Sequence, residues 1–153
     1  MSATQIIPQL WIGDKLISQK KSFFIDKNIN VVVNCTHEIS FMDENNKQYR
    51  LDIDDDLSED SMKKMYSKIY EIIEFIHNEI EKGNNILVHC HKGKQRSANI
   101  VAAYLMKYGR INYSAAMKYI QDKRPICFLP SNNFIIVLKK NRTRPIRWIL
   151  KFY

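Results

Sequence analysis

Glycine and proline are scarce in this chain, four of each among 153 residues, and no stretch concentrates them with serine. A flexible linker between two domains is therefore not expected, and the sequence contains neither an internal repeat nor a low-complexity segment. Long hydrophobic runs are also missing. No stretch approaches the roughly 18 apolar residues that a membrane-spanning helix needs. Residues 1–9 have neither the basic flank nor the apolar run of a secretory signal, so the expectation is no signal peptide and no stable membrane insertion. Cysteine is sparse and odd in number: Cys35, Cys90 and Cys127 lie far apart. That argues against a disulfide framework and against a Cys-x-x-Cys metal pair, and it suits a reducing, cytoplasmic compartment. No His, Asp and Glu residues have metal-ligand spacing, and His37 and His77 stand isolated, so neither a metal nor another cofactor is expected. Acidic residues are in deficit, 16 against 24 Lys and Arg, for a net charge of +8. This balance favours polyanionic partners such as phosphorylated proteins, RNA or acidic lipid surfaces, and does not choose among them.

What is present, 45% hydrophobic and 26% charged residues over this length, is the supply of a single globular domain over residues 1–153 with one core. Its continuous part runs from about Ile6 to Leu138, followed by a basic tail over 139–153. Ile6 to Ile12 reads as strand material broken by Pro8, with a turn at Gly13-Asp14 and a helix within Leu16 to Asp26. Asn30 to Asn34 is a β-branched run of the kind buried on both faces of a parallel sheet. Tyr49 to Ile53 predicts a weaker strand, followed by the acidic loop Asp54-Asp55-Asp56. Met62, Met65, Ile69, Ile72, Ile73, Ile76 and Ile80 recur at helical spacing over Ser61 to Lys82, with Gly83 as a C-terminal stop. Ile86 to Val88 is a short strand, Ser97 to Tyr108 a helix apolar nearly all round, and Tyr113 to Lys123 a helix with Asn112 as N-cap; Phe134 to Lys140 predicts a last helix. Alternating strands and helices imply an α/β layered fold with a mostly parallel central sheet of about five strands flanked by helices.

One segment carries chemistry. In His89-Cys90-His91-Lys92-Gly93-Lys94-Gln95-Arg96-Ser97, a strand end is followed by a Cys, five residues, an Arg and immediately a helix. Backbone N–H groups of His91, Lys92, Gly93, Lys94, Gln95 and Arg96 can converge there on an oxyanion, helped by the dipole of the following helix. Gly93 permits a tight backbone and close approach. The planar fork of Arg96 can bind two phosphate oxygens and stabilise charge during transfer. Donors aimed at Cys90 should lower its pKa and favour the nucleophilic thiolate. Ser97 is placed to help the sulfur depart, and His89 to orient the loop. Taken alone, Cys90 reads as an inert buried thiol. The full pattern His-Cys-x-x-Gly-x-x-Arg-Ser, however, would arise at a given position on the order of once in several million under average composition.

This segment resembles the signature loop of protein tyrosine phosphatases, and the compact chain resembles the small dual-specificity phosphatases, including viral ones. The resemblance extends to Ile7 to Gly13 as an opening strand pair, Val31 to Thr36 as the first parallel strand, and Ala102 to Met106 in the central helix. It implies a protein tyrosine phosphatase-like fold and hydrolysis of phosphotyrosine and phosphoserine or phosphothreonine, with Cys90 as nucleophile and Arg96 as phosphate ligand. It also implies a general acid on a loop some thirty residues before the Cys. Asp54, Asp55 and Asp56 all qualify by chemistry; the family's apolar-Pro-apolar-x-Asp pattern, laid on Leu51 to Asp55, selects Asp55. The chain departs from the family at Pro130-Ser131-Asn132-Asn133-Phe134, where Pro-Asn usually precedes x-x-Phe, leaving Ser131 or Asn132 to support the loop.

The substrate stays open at this stage. Lys92, Lys94 and His91 make the loop basic, which a phosphoinositide phosphatase or an RNA 5′-triphosphatase of the same superfamily would also use. A catalytically silent phosphoprotein-binding domain is the reading of another class, but it would be expected to have lost the Cys, the Arg or the acid. The tail from Lys139 to Tyr153 holds six basic residues, no acid and three aromatics. It suits either packing on the domain or on a second copy in a homodimer, or contact with RNA or anionic lipid. Cys35 and Cys127 are expected to be packing residues rather than redox partners of Cys90.

Overall fold

In the computed structural model, which describes residues 1–141, five strands form one sheet in the order β1-β2-β5-β3-β4. They are β1 (Ala3–Ile7), β2 (Leu10–Gly13), β3 (Val31–Asn34), β4 (Lys47–Arg50) and β5 (Ile86–His89). Only the β1–β2 pair is antiparallel; β2, β5, β3 and β4 run parallel. The sheet is therefore mostly parallel, as the alternation of elements implied. The expectations attached to residues 142–153 of the tail lie outside the described residues.

The valine run explains the layering. Within a strand successive side chains point to opposite faces, so Val31 and Val33 join Leu10, Ile12, Ile86 and Val88 in the larger core, while Val32 meets Trp11 and Leu87 in the smaller one. Helices α2 (Glu59–Glu81), α3 (Arg96–Tyr108), α4 (Tyr113–Lys123) and α5 (Ile135–Asn141) supply most of the rest of the larger core, with loop residues such as Leu51, Ile53 and Phe128. The short α1 (Lys21–Asp26) and a 3-10 turn at Ile17–Gln19 cover the other face. Among the described residues no helix is long and apolar enough to cross a membrane.

Most helix boundaries follow the apolar spacing. Asn112 caps α4 by accepting from Ala115 N at 2.8 Å. The longest helix begins earlier than its apolar residues suggest, at Glu59, because Ser58 caps it by accepting from Ser61 N at 3.1 Å. The fourth strand needs correction: it covers Lys47–Arg50 and not Tyr49 to Ile53. Its partner β3 ends at Asn34, whose carbonyl accepts from Leu51 N at 2.8 Å. Leu51 and Ile53 then bury their side chains from a loop that crosses the end of the sheet. Gly13 likewise belongs to β2, not to the turn that follows.

The register aligns Gly13, His89, Asn34 and Arg50 at the carboxyl ends of the four parallel strands. Open α/β sheets place their ligands beyond this edge. The chain segment leaving β5 there is the Cys90 loop.

Candidate active site

The loop from His91 to Gln95 turns its carbonyls outward, and each is held from behind. His91 O accepts from Lys15 N at 2.9 Å, Lys94 O from Phe128 N at 2.8 Å, and Gln95 O from Asn99 N at 2.9 Å. Gly93 O accepts from Arg124 Nε at 2.8 Å, and Lys92 O from the same guanidinium at 3.4 Å. A backbone whose carbonyls face out leaves its N–H groups facing in, which is the arrangement of an anion-binding nest. The following helix, α3, has Gln95 as N-cap and no side-chain cap, so its first-turn donors stay available to a ligand. Gly93, at φ +66°, makes the curve possible: a Cβ there would stand 2.7 Å from Gly13 O.

Cys90 lies at the base of this cradle, 3% exposed, with Sγ 3.2 Å from Ser97 Oγ. Burial pushes the thiol pKa up. The Ser97 hydroxyl and backbone N–H, the Arg96 charge and the Gly93 N–H together outweigh it and leave the pKa below the ordinary thiol value. The other two thiols behave oppositely. Burial, reinforced by the Cys90 charge, raises Cys35 well above the usual range, and burial raises Cys127 to about 12. His89 is also buried, its Nδ1 3.4 Å from Cys90 O, and burial takes its pKa down to about 4. Arg96 donates to Ile53 O at 3.1 Å through one terminal nitrogen, while its buried Nε has no partner among the described residues. Unpaired buried donors are uncommon, and Arg96 is one of the residues lining a cleft of about 170 Å³, together with Asp55, Cys90, His91, Lys92, Lys94 and Gln95.

The three neighbouring aspartates have different partners. Asp56 turns back onto α2, accepting from Ser58 N at 3.0 Å and Ser61 Oγ at 2.8 Å. The Ser58 hydroxyl, with the Ser58 backbone N–H and the Ser61 hydroxyl, holds its pKa at about 2. Asp54 pairs with His37 Nδ1 at 3.0 Å, so His37 is not isolated as its sequence position suggests; Glu38 and Asp52 lie 3.6 and 3.7 Å from the same nitrogen. Asp55 faces the cleft and accepts from Asn133 Nδ2 at 2.9 Å. His91 and Lys92 stand exposed at the rim.

Support for the loop comes from Asn132, which exchanges amide hydrogen bonds of 2.8 and 2.9 Å with Asn99. Ser131 contributes its carbonyl, which accepts from Gln95 Nε2 at 2.9 Å. Sequence reasoning missed Arg124 and Asn133, whose partners are distant in the chain. A larger depression of about 540 Å³ beside α1 is lined by Ile17, Lys20, Ser22, Phe23, Ile25 and Asp26 and by none of the Cys90 loop residues. Among the described residues no group of His, Cys, Asp and Glu is arranged to hold a metal ion.

Residues 10–144 match the family described as dual specificity phosphatase, catalytic domain. The tyrosine phosphatase named 123R of Invertebrate iridescent virus 6 is 33% identical over 140 residues, 88% of each chain. Human dual specificity protein phosphatase 5 is 31% identical over 121 residues, which are 78% of this chain and 30% of that protein. The crystal structure of human DUSP28 superposes with a TM-score of 0.80 at 20% identity, covering 90% of both chains.

Proposed function

The chain belongs to the dual specificity phosphatase family, and from that premise we propose that Cys90 attacks the phosphorus of a phosphorylated protein side chain while Asp55 protonates the leaving oxygen. The protein is a cysteine-based protein phosphatase with tyrosine and serine/threonine phosphatase activity. In the first step the Cys90 thiolate forms a P–S bond as the ester P–O bond breaks and the Asp55 proton passes to the departing oxygen. Arg96 and the loop N–H groups stabilise the charge on the three equatorial oxygens. In the second step water attacks the cysteinyl phosphate, Asp55 takes its proton, and Ser97 Oγ–H donates to the sulfur as the P–S bond breaks, releasing phosphate.

The observation that carries this assignment is the depressed Cys90 thiol beside Ser97 at the base of an outward-tied loop. Asp55 is favoured over its neighbours because they are occupied elsewhere, Asp54 with His37 and Asp56 with the start of α2. Cys90→Ser should abolish phosphate release from an aryl phosphate and leave the thermal unfolding transition in place. Asp55→Ala should slow phenyl phosphate, a poor leaving group, by about 100-fold, and Asp54→Ala should have a smaller effect. Retained turnover by Cys90→Ser, or a larger loss in Asp54→Ala, contradicts the assignment. Phosphoproteins are the proposed partners; phosphoinositides and 5′-triphosphate RNA, tested side by side with phosphopeptides, should be turned over more slowly.

A further inference from the structure

The segment between α4 and α5 reaches the cleft from a side that the mechanism leaves unused. Gln95 turns its side chain away from the mouth and is 2% exposed. Its Nε2 donates to Leu129 O at 3.2 Å and Ser131 O at 2.9 Å, and its Oε1 accepts from Asn133 N at 3.0 Å. The phosphate loop thus clamps residues 129–133 directly. Asn132 fastens the same segment to α3 through Asn99 and accepts from Phe134 N at 2.9 Å. Asn133, held at the backbone by Gln95, extends the other way, and its amide Nδ2 donates to Asp55 Oδ1 at 2.9 Å. The two consecutive asparagines divide the work, one turned to the helix behind the loop and the other to the acid loop.

We propose that Asn133 is a positioning residue for proton transfer: its amide pins Oδ1 of Asp55 and leaves Oδ2 to carry the proton to the leaving oxygen. Gln95 sets the position of that amide from within the phosphate loop, so the acid and the phosphate cradle keep a fixed relation. The proposal rests on the assignment of Asp55 as the acid. A carboxylate on an exposed loop otherwise samples several rotamers, and small errors in the placement of a reacting group are costly. The hydrogen bond is charge-assisted when Asp55 is ionised, so the same amide orients the carboxylate for its second task, taking the proton from water.

The test is a leaving-group series of aryl phosphates, from 2,4-dinitrophenyl to phenyl, with kcat/KM, which reads formation of the cysteinyl phosphate alone, measured for wild type, Asn133→Ala, Asn133→Asp, Asp55→Ala and the double variant Asp55→Ala/Asn133→Ala. Dinitrophenolate departs without a proton, so Asn133→Ala should keep its kcat/KM within about twofold; for phenyl phosphate it should lose about 5- to 10-fold. Asn133→Asp preserves size and the backbone bond to Gln95 but sets carboxylate against carboxylate, and should lose more on phenyl phosphate than Asn133→Ala. In the Asp55→Ala background, Asn133→Ala should add nothing. Equal loss across all leaving groups, or no loss, in Asn133→Ala while Asp55→Ala shows a steep dependence overturns the positioning role alone. A flat series in Asp55→Ala removes Asp55 as the acid, and the proposal falls with it.

Discussion

Arg124 commits all three guanidinium nitrogens to neutral oxygens: Nε to Gly93 O at 2.8 Å, one terminal nitrogen to Thr4 Oγ1 at 2.9 Å, and the other to Ser2 Oγ at 2.9 Å. It is 3% exposed. The same guanidinium also reaches Lys92 O at 3.4 Å, and because that carbonyl and the Gly93 N–H share one peptide plane, it keeps the N–H directed at the Cys90 sulfur, one of the contacts that lower the thiol pKa. Arg124→Lys keeps the charge and loses the fork, so kcat/KM should drop about tenfold and the pH midpoint of Cys90 alkylation by iodoacetamide should move upward. A change in midpoint separates this effect from simple loss of folded protein. Residues such as Cys90, Gly93, Arg96 and Ser97 were legible in the sequence because the chemistry requires them at fixed separations along one stretch of chain. Arg124, in Gln121-Asp122-Lys123-Arg124, has the appearance of a solvated helix end, and its partners lie 31 and 120 residues away. The aspartates were only partly legible, since their distinction is made by the side chains each one meets: His37 and Asn133 from other loops and Ser61 from the start of α2.

Two glycines show how differently an element end and a functional loop depend on the same backbone freedom. Gly83 follows the last turn of α2 at φ +85°, its N–H bonded to Ile80 O at 2.9 Å and that of Asn84 to Glu79 O at 3.0 Å. A Cβ there would meet nothing within 4 Å. Gly83→Ala therefore carries only the left-handed backbone penalty, a loss of about 1–2 kcal/mol in chemical denaturation with kcat unchanged. Gly93→Ala carries that penalty and a backbone collision with Gly13 O, so kcat/KM should fall by at least about 100-fold. Periodicity located the helices well because α2 and α3 bury a helical stripe and nearly a whole cylinder, respectively. It failed for β4, where three of the four residues are exposed, so an edge strand of polar residues lay beside the buried loop residues Leu51 and Ile53 that imitated one.

At the scale of the whole molecule, burial of titratable groups predicts how stability depends on pH. His89 is held neutral inside the fold, with burial as the largest cause, and its pKa falls to about 4 against an unfolded value of about 6.5. The unfolded chain therefore binds that proton first, and stability of the order of 3 kcal/mol, fully present above about pH 6.5, is lost as pH falls toward 4. Glu79 adds to the same trend at lower pH: burial raises its pKa, but the bonds from Lys47 at 2.8 Å and Asn84 at 2.7 Å prevail and lower it. Its contribution is present above its unfolded pKa and lost in acid. On the alkaline side burial raises Cys35, takes Cys127 to about 12, and does the same for Tyr104 and Tyr108. Those groups contribute stability below their unfolded pKa values, about 8.5 for Cys and 10 for Tyr, and lose it as pH rises through the folded ones. Cys90 runs against this limb, because its lowered pKa favours the folded thiolate. The melting temperature, measured by circular dichroism, should therefore form a plateau between about pH 6.5 and 8.5 and decline on both sides. His89→Gln should lower the plateau and flatten the curve between pH 6.5 and 4, whereas a wild-type curve without slope in that window would show that His89 is not what acid attacks first.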